Sequence, residues 1–181
     1  MKLTAFLFSL FFSHILISQE LQKGEVIEDY GSFYKVENPG FKTDTTTTLK
    51  VVFDVARSFE DPAKPNRLFE VAARFLNLHV DAGFPPENLE VALVIHGGAI
   101  NDVTKDKAYI ERHPDTDLEA NPNTDLLNKL AENGVKIILC GQSAKHNNIS
   151  RTNAHKEAEI ALSAMTALVQ LQNNEYRLIN F

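Results

Sequence analysis

The only cysteine of the chain, Cys140, is the residue best suited to nucleophilic or sulfur chemistry. It ends the mostly apolar run 135–139, which is typical of a buried strand, and it precedes Gly141 and Gln142. Ligands of open α/β sheets bind at the carboxyl ends of the strands. The free N–H groups at the start of a following helix also stabilise a thiolate. Cys140 is therefore a candidate catalytic residue, and the alternative is a small apolar residue that closes a core strand.

His96 is the second candidate catalytic residue. It follows the apolar run 89–95 and precedes two glycines, so that its imidazole and the loop backbone can face a ligand. An imidazole there can act as a general acid or base, or can orient a thiolate. The alternative is a strand-end histidine that is satisfied by local backbone groups. The candidate ligand-binding residues lie in the two loops that follow these strands: Gly97, Gly98, Asn101, Gly141, Gln142 and Lys145.

Other common kinds of site are not indicated. The histidines at 113, 146 and 155 lie in polar regions, without the spacing of a zinc or copper site. The Gly97-Gly98 pair lacks the Walker and dinucleotide-binding patterns, and no Ser-His-Asp order or pair of carboxylates stands out. We therefore expect no metal and no cofactor.

The composition of the chain excludes some partners. The 181 residues include 18 basic and 24 acidic side chains, which gives a formal net charge of −6. Nucleic acids and anionic membranes attract basic proteins, so neither is an expected partner. The length corresponds to one domain with its own core.

The N-terminus has the pattern of a secretory signal peptide. Lys2 supplies the positive charge, residues 3–17 are almost wholly apolar, and Ser18 is a small residue at the predicted cleavage position. The apolar stretch is shorter than the roughly 20 residues of a transmembrane helix, although an uncleaved anchor is the alternative. We expect residues 1–18 to be removed and the protein to be exported, periplasmic or secreted, with no membrane contact afterwards. A lone cysteine in an oxidising compartment is buried, paired between chains or reactive.

The remaining chain divides into an N-terminal extension, 19–48, and an α/β domain, 49–181. Within the extension, the aromatic segment 30–36 is expected to pack on the domain. Residues 102–123 are expected to be irregular or briefly helical, and residues 145–156 to form a polar loop. The predicted strands and helices of the domain alternate: strand 49–55, helix 66–82, strand 89–96, helix 124–133, strand 135–140, strand 159–163, helix 165–172 and strand 176–180.

This alternation predicts a three-layer α/β/α sandwich with a mainly parallel five-stranded sheet. Residues 157–172, rich in alanine and leucine, leave one long helix as an alternative to a strand followed by a helix. Right-handed crossovers place His96 and Cys140 at the same edge of the sheet. The pattern does not give the strand order, so whether the two residues are neighbours stays open.

The sequence resembles the DsrE/DsrF-like family (sulfur-relay, DsrEFH-like proteins), and most of all its exported single-domain branch. The segments that carry the resemblance span most of the predicted domain: KVVFD at 50–54, NLEVALVIHG at 88–97, GVKIILCGQS at 134–143 and AMTALVQLQNNEYRLINF at 164–181. The resemblance implies a flavodoxin-like sandwich that assembles into trimers or hexamers. It also implies that Cys140 carries a persulfide sulfur between donor and acceptor proteins.

The leading hypothesis is therefore an exported persulfide carrier or sulfurtransferase-like protein. Cys140 would take sulfur from a small donor, such as thiosulfate or polysulfide, or from a partner protein. His96 and the loop amides would assist. Two alternatives stay open: a non-catalytic oligomeric binding module with a buried Cys140, and a thiol redox sensor that forms a disulfide between subunits.

Overall fold

The structure, a computed structural model, describes residues 20–180. The predicted signal peptide, residues 1–18, lies outside this range. The strands are β1 (Leu21–Gln22), β2 (Phe33–Tyr34), β3 (Leu49–Val55), β4 (Leu89–Ile95), β5 (Lys136–Cys140), β6 (Ala158–Ala161) and β7 (Arg177–Ile179). The α-helices are α1 (Arg67–Asp81), α2 (Asp106–Ile110), α3 (Thr124–Glu132), α4 (Gly141–His146) and α5 (Ala164–Asn173). Two 3₁₀ helices cover Pro86–Asn88 and Gly97–Val103.

Strands β3 to β7 form one five-stranded sheet in the order β6-β5-β4-β3-β7, and every neighbouring pair is parallel. The predicted parallel α/β sandwich is thus confirmed. Strand β4 lies between β3 and β5, with Ile95 opposite both Val55 and Leu139. The carboxyl ends of these three strands therefore lie side by side.

The two faces of the sheet are covered unequally. Helices α1 and α3, with Ala144 of α4, pack on the face that holds Phe53, Leu93 and Leu139. Helix α5 packs on the other face, against Val52, Val94 and other buried residues. Right-handed crossovers explain this division, because the chain runs from β3 to β6 in one direction and α5 carries it back to β7.

Sequence signals at both ends of helix α1 determine where it begins and ends. The side chain of Asn66 caps the first turn by accepting a hydrogen bond from the N–H of Leu68 at 2.9 Å. Buried Phe69, Ala72 and Leu76 form its inward stripe. The following Gly83 has φ +95°, which glycine adopts without strain.

The long-helix alternative for residues 157–172 is wrong. Residues Ala158–Ala161 instead pair with β5, and Ser163 caps α5 by accepting a hydrogen bond from the N–H of Thr166 at 3.0 Å. Pairing at the sheet edge overrides the local helix propensity of the alanines. The polar loop predicted for 145–156 also begins later, because α4 continues to His146.

The N-terminal extension packs on α1 through the buried side chain of Asn77. This amide accepts a hydrogen bond from the N–H of Ile27 at 2.9 Å and donates to the carbonyls of Ile27 and Tyr30. Strands β1 and β2 of the extension form a separate antiparallel pair, and Phe33 of β2 is buried. The aromatic segment 30–36 therefore contacts the domain as expected.

Helix α5 does not shield all of its face of the domain. Several large apolar side chains on and next to it stay exposed: Leu162, Met165, Val169 and Leu178. Among the residues described, 20–180, no helix has the length and apolar character needed to cross a membrane.

Candidate functional site

Cys140 is the last residue of β5 and the residue from which α4 starts. Its side chain lies on the α5 face of the sheet, in the cluster that includes Val94 and Ala164. The residue is 5% exposed. The thiol is thus at the carboxyl edge of the sheet, covered by the chain segments that follow β5 and β6.

Four hydrogen-bond donors converge on the sulfur of Cys140. Burial raises the pKa of this thiol, but hydrogen bonds from the N–H and hydroxyl of Ser143 and from the N–H groups of Ala164 and Gln142 outweigh burial and lower it. These donors come from the first turns of α4 and α5. Because hydrogen bonds to the charged form favour ionisation, the geometry stabilises a thiolate.

Ser143 connects this sulfur to the loop after β4. Its Oγ accepts a hydrogen bond from the N–H of Gly97 at 3.2 Å, and its hydroxyl donates to Cys140. This contact requires β4 and β5 to be neighbours. The strand order therefore decides that the two candidate loops form one site.

His96 lies beside Cys140 on the same face of the sheet. It follows Ile95, which pairs with Leu139, so that His96 and Cys140 are the next residues on adjacent strands. His96 keeps an extended backbone, with φ −149° and ψ −171°. Its Nε2 lies 2.7 Å from Oδ1 of Asp54, on the far side of β4 from Cys140. Both partners are partly exposed, at 29% and 22% of their side chains.

The other predicted residues of the β4 loop hold the loop in shape. Gly97 has φ +55°, and a side chain there would press on the carbonyl of Ala56. The N–H of Gly98 donates to that same carbonyl at 3.0 Å. The side-chain nitrogen of Asn101 donates a hydrogen bond to the carbonyl of Gly98 at 3.2 Å, and its side-chain oxygen accepts one from Nε of Arg112 at 3.1 Å.

The predicted residues after Cys140 have three different environments. There is no room for a side chain at Gly141, because a Cβ there would clash with the carbonyl oxygen of Ala161. Gln142 is exposed, and its Nε2 donates to the carbonyl of Leu162 at 3.2 Å, which ties α4 to the segment before α5. Lys145 is exposed on α4.

An open cleft of ≈ 500 Å³ lies between the two loops. It is lined by Gly97, Gly98, Gln142, Ser143, His146 and Asn147. Three of the six predicted binding residues thus share one cleft, whereas Asn101, Gly141 and Lys145 are not part of its lining. Neither Cys140 nor His96 lines this cleft. A larger cavity of ≈ 760 Å³ lies between the extension and α1, but it contains no thiol.

Two residues of the site, Asp54 and Ser143, were missed by sequence reasoning. Asp54 is a polar residue near the end of β3, on the same face as Val52. A carboxylate near the end of one strand and a histidine after the end of the next strand form a pattern that can be read from the sequence. Ser143 has no such signal, because its contact with Gly97 depends on the strand order. Within residues 20–180, no three His, Cys, Asp or Glu side chains are close enough together to hold a metal ion.

Comparison with solved structures gives the fold. A protein of unknown function from Methanobacterium thermoautotrophicum, MTH1491, aligns with a TM-score of 0.53 at 15% identity over 74% of this chain and 99% of that one. The ychN protein from E. coli aligns with a TM-score of 0.53 at 16% identity over 74% of this chain and 100% of that one. No curated protein matches the sequence. The sequence model of the DsrE/DsrF-like family matches residues 50–181, so this chain belongs to the DsrE/DsrF-like family.

Proposed function

We propose that this protein is exported and that Cys140 accepts sulfane sulfur as a persulfide, in the manner of a carrier or sulfurtransferase-like protein. The observation that carries the proposal is the set of hydrogen-bond donors on the sulfur, which lower the pKa of Cys140 in spite of its burial. Membership of a family that includes sulfur-relay proteins supports it. The apolar N-terminal segment supports export.

The chemistry proposed for Cys140 is a sulfur transfer without net oxidation. With thiosulfate as donor, the thiolate attacks the outer sulfur, an S–S bond forms on Cys140, and the donor S–S bond breaks. The balance is Cys140–S⁻ + S–SO₃²⁻ → Cys140–S–S⁻ + SO₃²⁻. The N–H groups of Gln142, Ser143 and Ala164 surround the attacking sulfur and stabilise its negative charge before the reaction.

Access to the sulfur is the main requirement of this function, because Cys140 is 5% exposed. The side chain of Gln142 spans the two segments that cover the thiol, and it holds them through a single hydrogen bond to the carbonyl of Leu162. We infer that opening this contact admits the donor from the adjoining cleft.

The burial of Cys140 favours a second candidate function, a non-catalytic binding module in which the thiol is a core residue. For either function we propose a homo-oligomer, a trimer or a hexamer. The exposed apolar side chains on and around α5, which include Met165 and Val169, support an interface on that face.

Intact-mass spectrometry of the mature protein separates the two functions. The wild type and Cys140→Ser are incubated with thiosulfate and with polysulfide, and each sample is measured with and without reductant. A mass gain of one or more sulfur atoms that reductant removes, and that Cys140→Ser lacks, supports the persulfide function. If no adduct forms and the folded protein does not react with a thiol reagent, Cys140 is a core residue and the binding module is correct.

A further inference from the structure

The histidine beside Cys140 is held by a carboxylate from the neighbouring strand. Nε2 of His96 lies 2.7 Å from Oδ1 of Asp54, and the N–H of His96 donates to the carbonyl of Val55 at 2.9 Å. A carboxylate can only accept hydrogen bonds, so Nε2 carries the hydrogen and Nδ1 is the basic nitrogen of the neutral ring. Asp54 thus fixes both the orientation and the tautomer of His96.

The second nitrogen of this ring, Nδ1, is not engaged by the described part of the chain. No hydrogen bond between residues 20–180 involves Nδ1 of His96, and 29% of the side chain is exposed. Adjacent strands of a sheet are about 5 Å apart, so the backbones of His96 and Cys140 are separated by about that distance at the same level of the sheet. His96 and Cys140 therefore follow paired residues of two adjacent strands, and Nδ1 is the ring nitrogen of His96 that Asp54 leaves unengaged.

We propose that Asp54 is a positioning residue for His96, and that His96 is the catalytic residue that moves the proton when the sulfur donor is a persulfide. This inference rests on the proposed function of Cys140. It also names the donor class: a sulfane sulfur compound R–S–SH, whose leaving group is a thiolate.

The reaction balances without an oxidant. Cys140–S⁻ attacks the outer sulfur of R–S–SH, and the S–S bonding pair of the donor leaves with R–S. Nδ1 of His96 takes the proton of the outer sulfur and gives it to the leaving sulfur. The balance is Cys140–S⁻ + R–S–SH → Cys140–S–S⁻ + R–SH. The imidazolium that exists between the two proton transfers is stabilised by the Asp54 carboxylate at Nε2.

Donors with different leaving groups distinguish this role from a structural one. Thiosulfate has no S–H proton to move and releases sulfite, whereas glutathione persulfide carries an S–H proton and releases a thiol. The rate of sulfur uptake by Cys140 is measured by intact mass for both donors. The variants are His96→Gln, which can still donate to Asp54 but cannot shuttle a proton, and Asp54→Asn, with Asp44→Asn in the exposed extension as the matched control.

Proton transfer by a positioned side chain typically contributes about 10²–10⁴-fold to a rate. We expect both site variants to slow uptake from glutathione persulfide by at least on the order of tenfold, and to change uptake from thiosulfate by less than about twofold. Equal slowing with both donors, or no slowing with either, would overturn the role of His96 while leaving Cys140 as the acceptor. Absence of uptake from both donors by the wild type would overturn the proposed function itself, and this inference with it.

The tautomer of His96 gives a readout that a purely structural role does not move. In the wild type, ¹⁵N NMR of the imidazole is expected to show a hydrogen on Nε2 and a bare Nδ1. In Asp54→Asn, the new amide can donate to Nε2, and we expect the hydrogen to move to Nδ1. An unchanged tautomer in this variant would refute the positioning role of Asp54.

Discussion

The N–H of Gly97 donates a hydrogen bond to Oγ of Ser143 at 3.2 Å, and this contact joins the loop after β4 to the helix that starts at Cys140. The hydroxyl oxygen of Ser143 accepts from Gly97, and its hydroxyl hydrogen is donated to the sulfur of Cys140. The loop after one strand thereby contacts a residue whose hydrogen bonds lower the pKa of the thiol that ends the next strand.

Replacing Ser143 by alanine removes the hydroxyl donor from the sulfur, so the pKa of Cys140 is expected to rise. We expect alkylation by iodoacetamide to slow by roughly three- to tenfold at pH 7, with its pH profile moved to higher pH and the plateau rate kept. Ser150→Ala, which loses a hydroxyl on an exposed loop, is the control. A Ser143→Ala profile that overlays the wild type would show that the hydroxyl does not act on the thiol.

The lowered pKa of Cys140 also predicts a pH dependence of stability. A thiol whose pKa is lower in the folded state than in the unfolded state stabilises the fold when pH is above the unfolded-state pKa, which is ordinarily 9.0. This stabilisation is lost as pH falls through the folded-state pKa. The free energy of unfolding of the wild type, relative to Cys140→Ser, is therefore expected to increase from pH 6 to pH 9.5. Urea denaturation in reductant measures it, and a difference that does not change with pH contradicts the lowered pKa.

Gly141 is required because the chain after β6 passes close to its α-carbon. In Gly141→Ala, the new methyl group meets the carbonyl oxygen of Ala161, and relief of this clash displaces the segment that covers Cys140. We expect a loss of about 1–3 kcal/mol in the free energy of unfolding by urea denaturation. Gly40→Ala is the control, since a Cβ there has no atom within 4 Å. Equal stability of the two variants would contradict this packing.

Asn77 is expected to hold the extension on the domain. Asn77→Ala leaves the N–H of Ile27 and the carbonyls of Ile27 and Tyr30 without their partner. Each buried group left unpaired costs about 1–3 kcal/mol, so that hydrogen exchange in residues 25–34 should accelerate more than exchange in β4. Asn173→Ala, at an exposed position of α5, should leave both regions unchanged. Uniform acceleration along the chain would instead indicate global destabilisation.

The α5 face is expected to form the interface of the proposed oligomer. Met165 is 75% exposed and Val169 is 56% exposed, so a charge at Met165 perturbs an interface without affecting the core. We expect Met165→Glu to shift the protein towards a monomer in light scattering with size-exclusion chromatography. The exposed Gln172 of the same helix, as Gln172→Glu, should leave the mass unchanged. A monomeric wild type, or an unaffected oligomer in Met165→Glu, would place the interface elsewhere or remove it.

The sequence predicts much of the fold because its strongest patterns are local. The unbroken apolar run of β4 and the amphipathic period of α1 each specify an element from consecutive residues. The segment 157–172 is different, because its alanine and leucine content suits a helix until pairing with β5 is available. Such pairing joins residues that are distant in sequence, so local propensity does not report it.

The sequence alone determined the kind of chemistry that the site can offer. The position of Cys140 and His96 at the ends of buried strands follows from hydrophobic patterning. Only the tertiary structure decided that their strands are neighbours, that Ser143 bridges the two loops and that Asp54 holds the imidazole. It also decided the burial of Cys140 and the N–H group that Ala164 brings to the sulfur from 24 residues further along the chain. The physical reason is that strand order sets which chain ends meet, and it depends on the packing of the whole sheet.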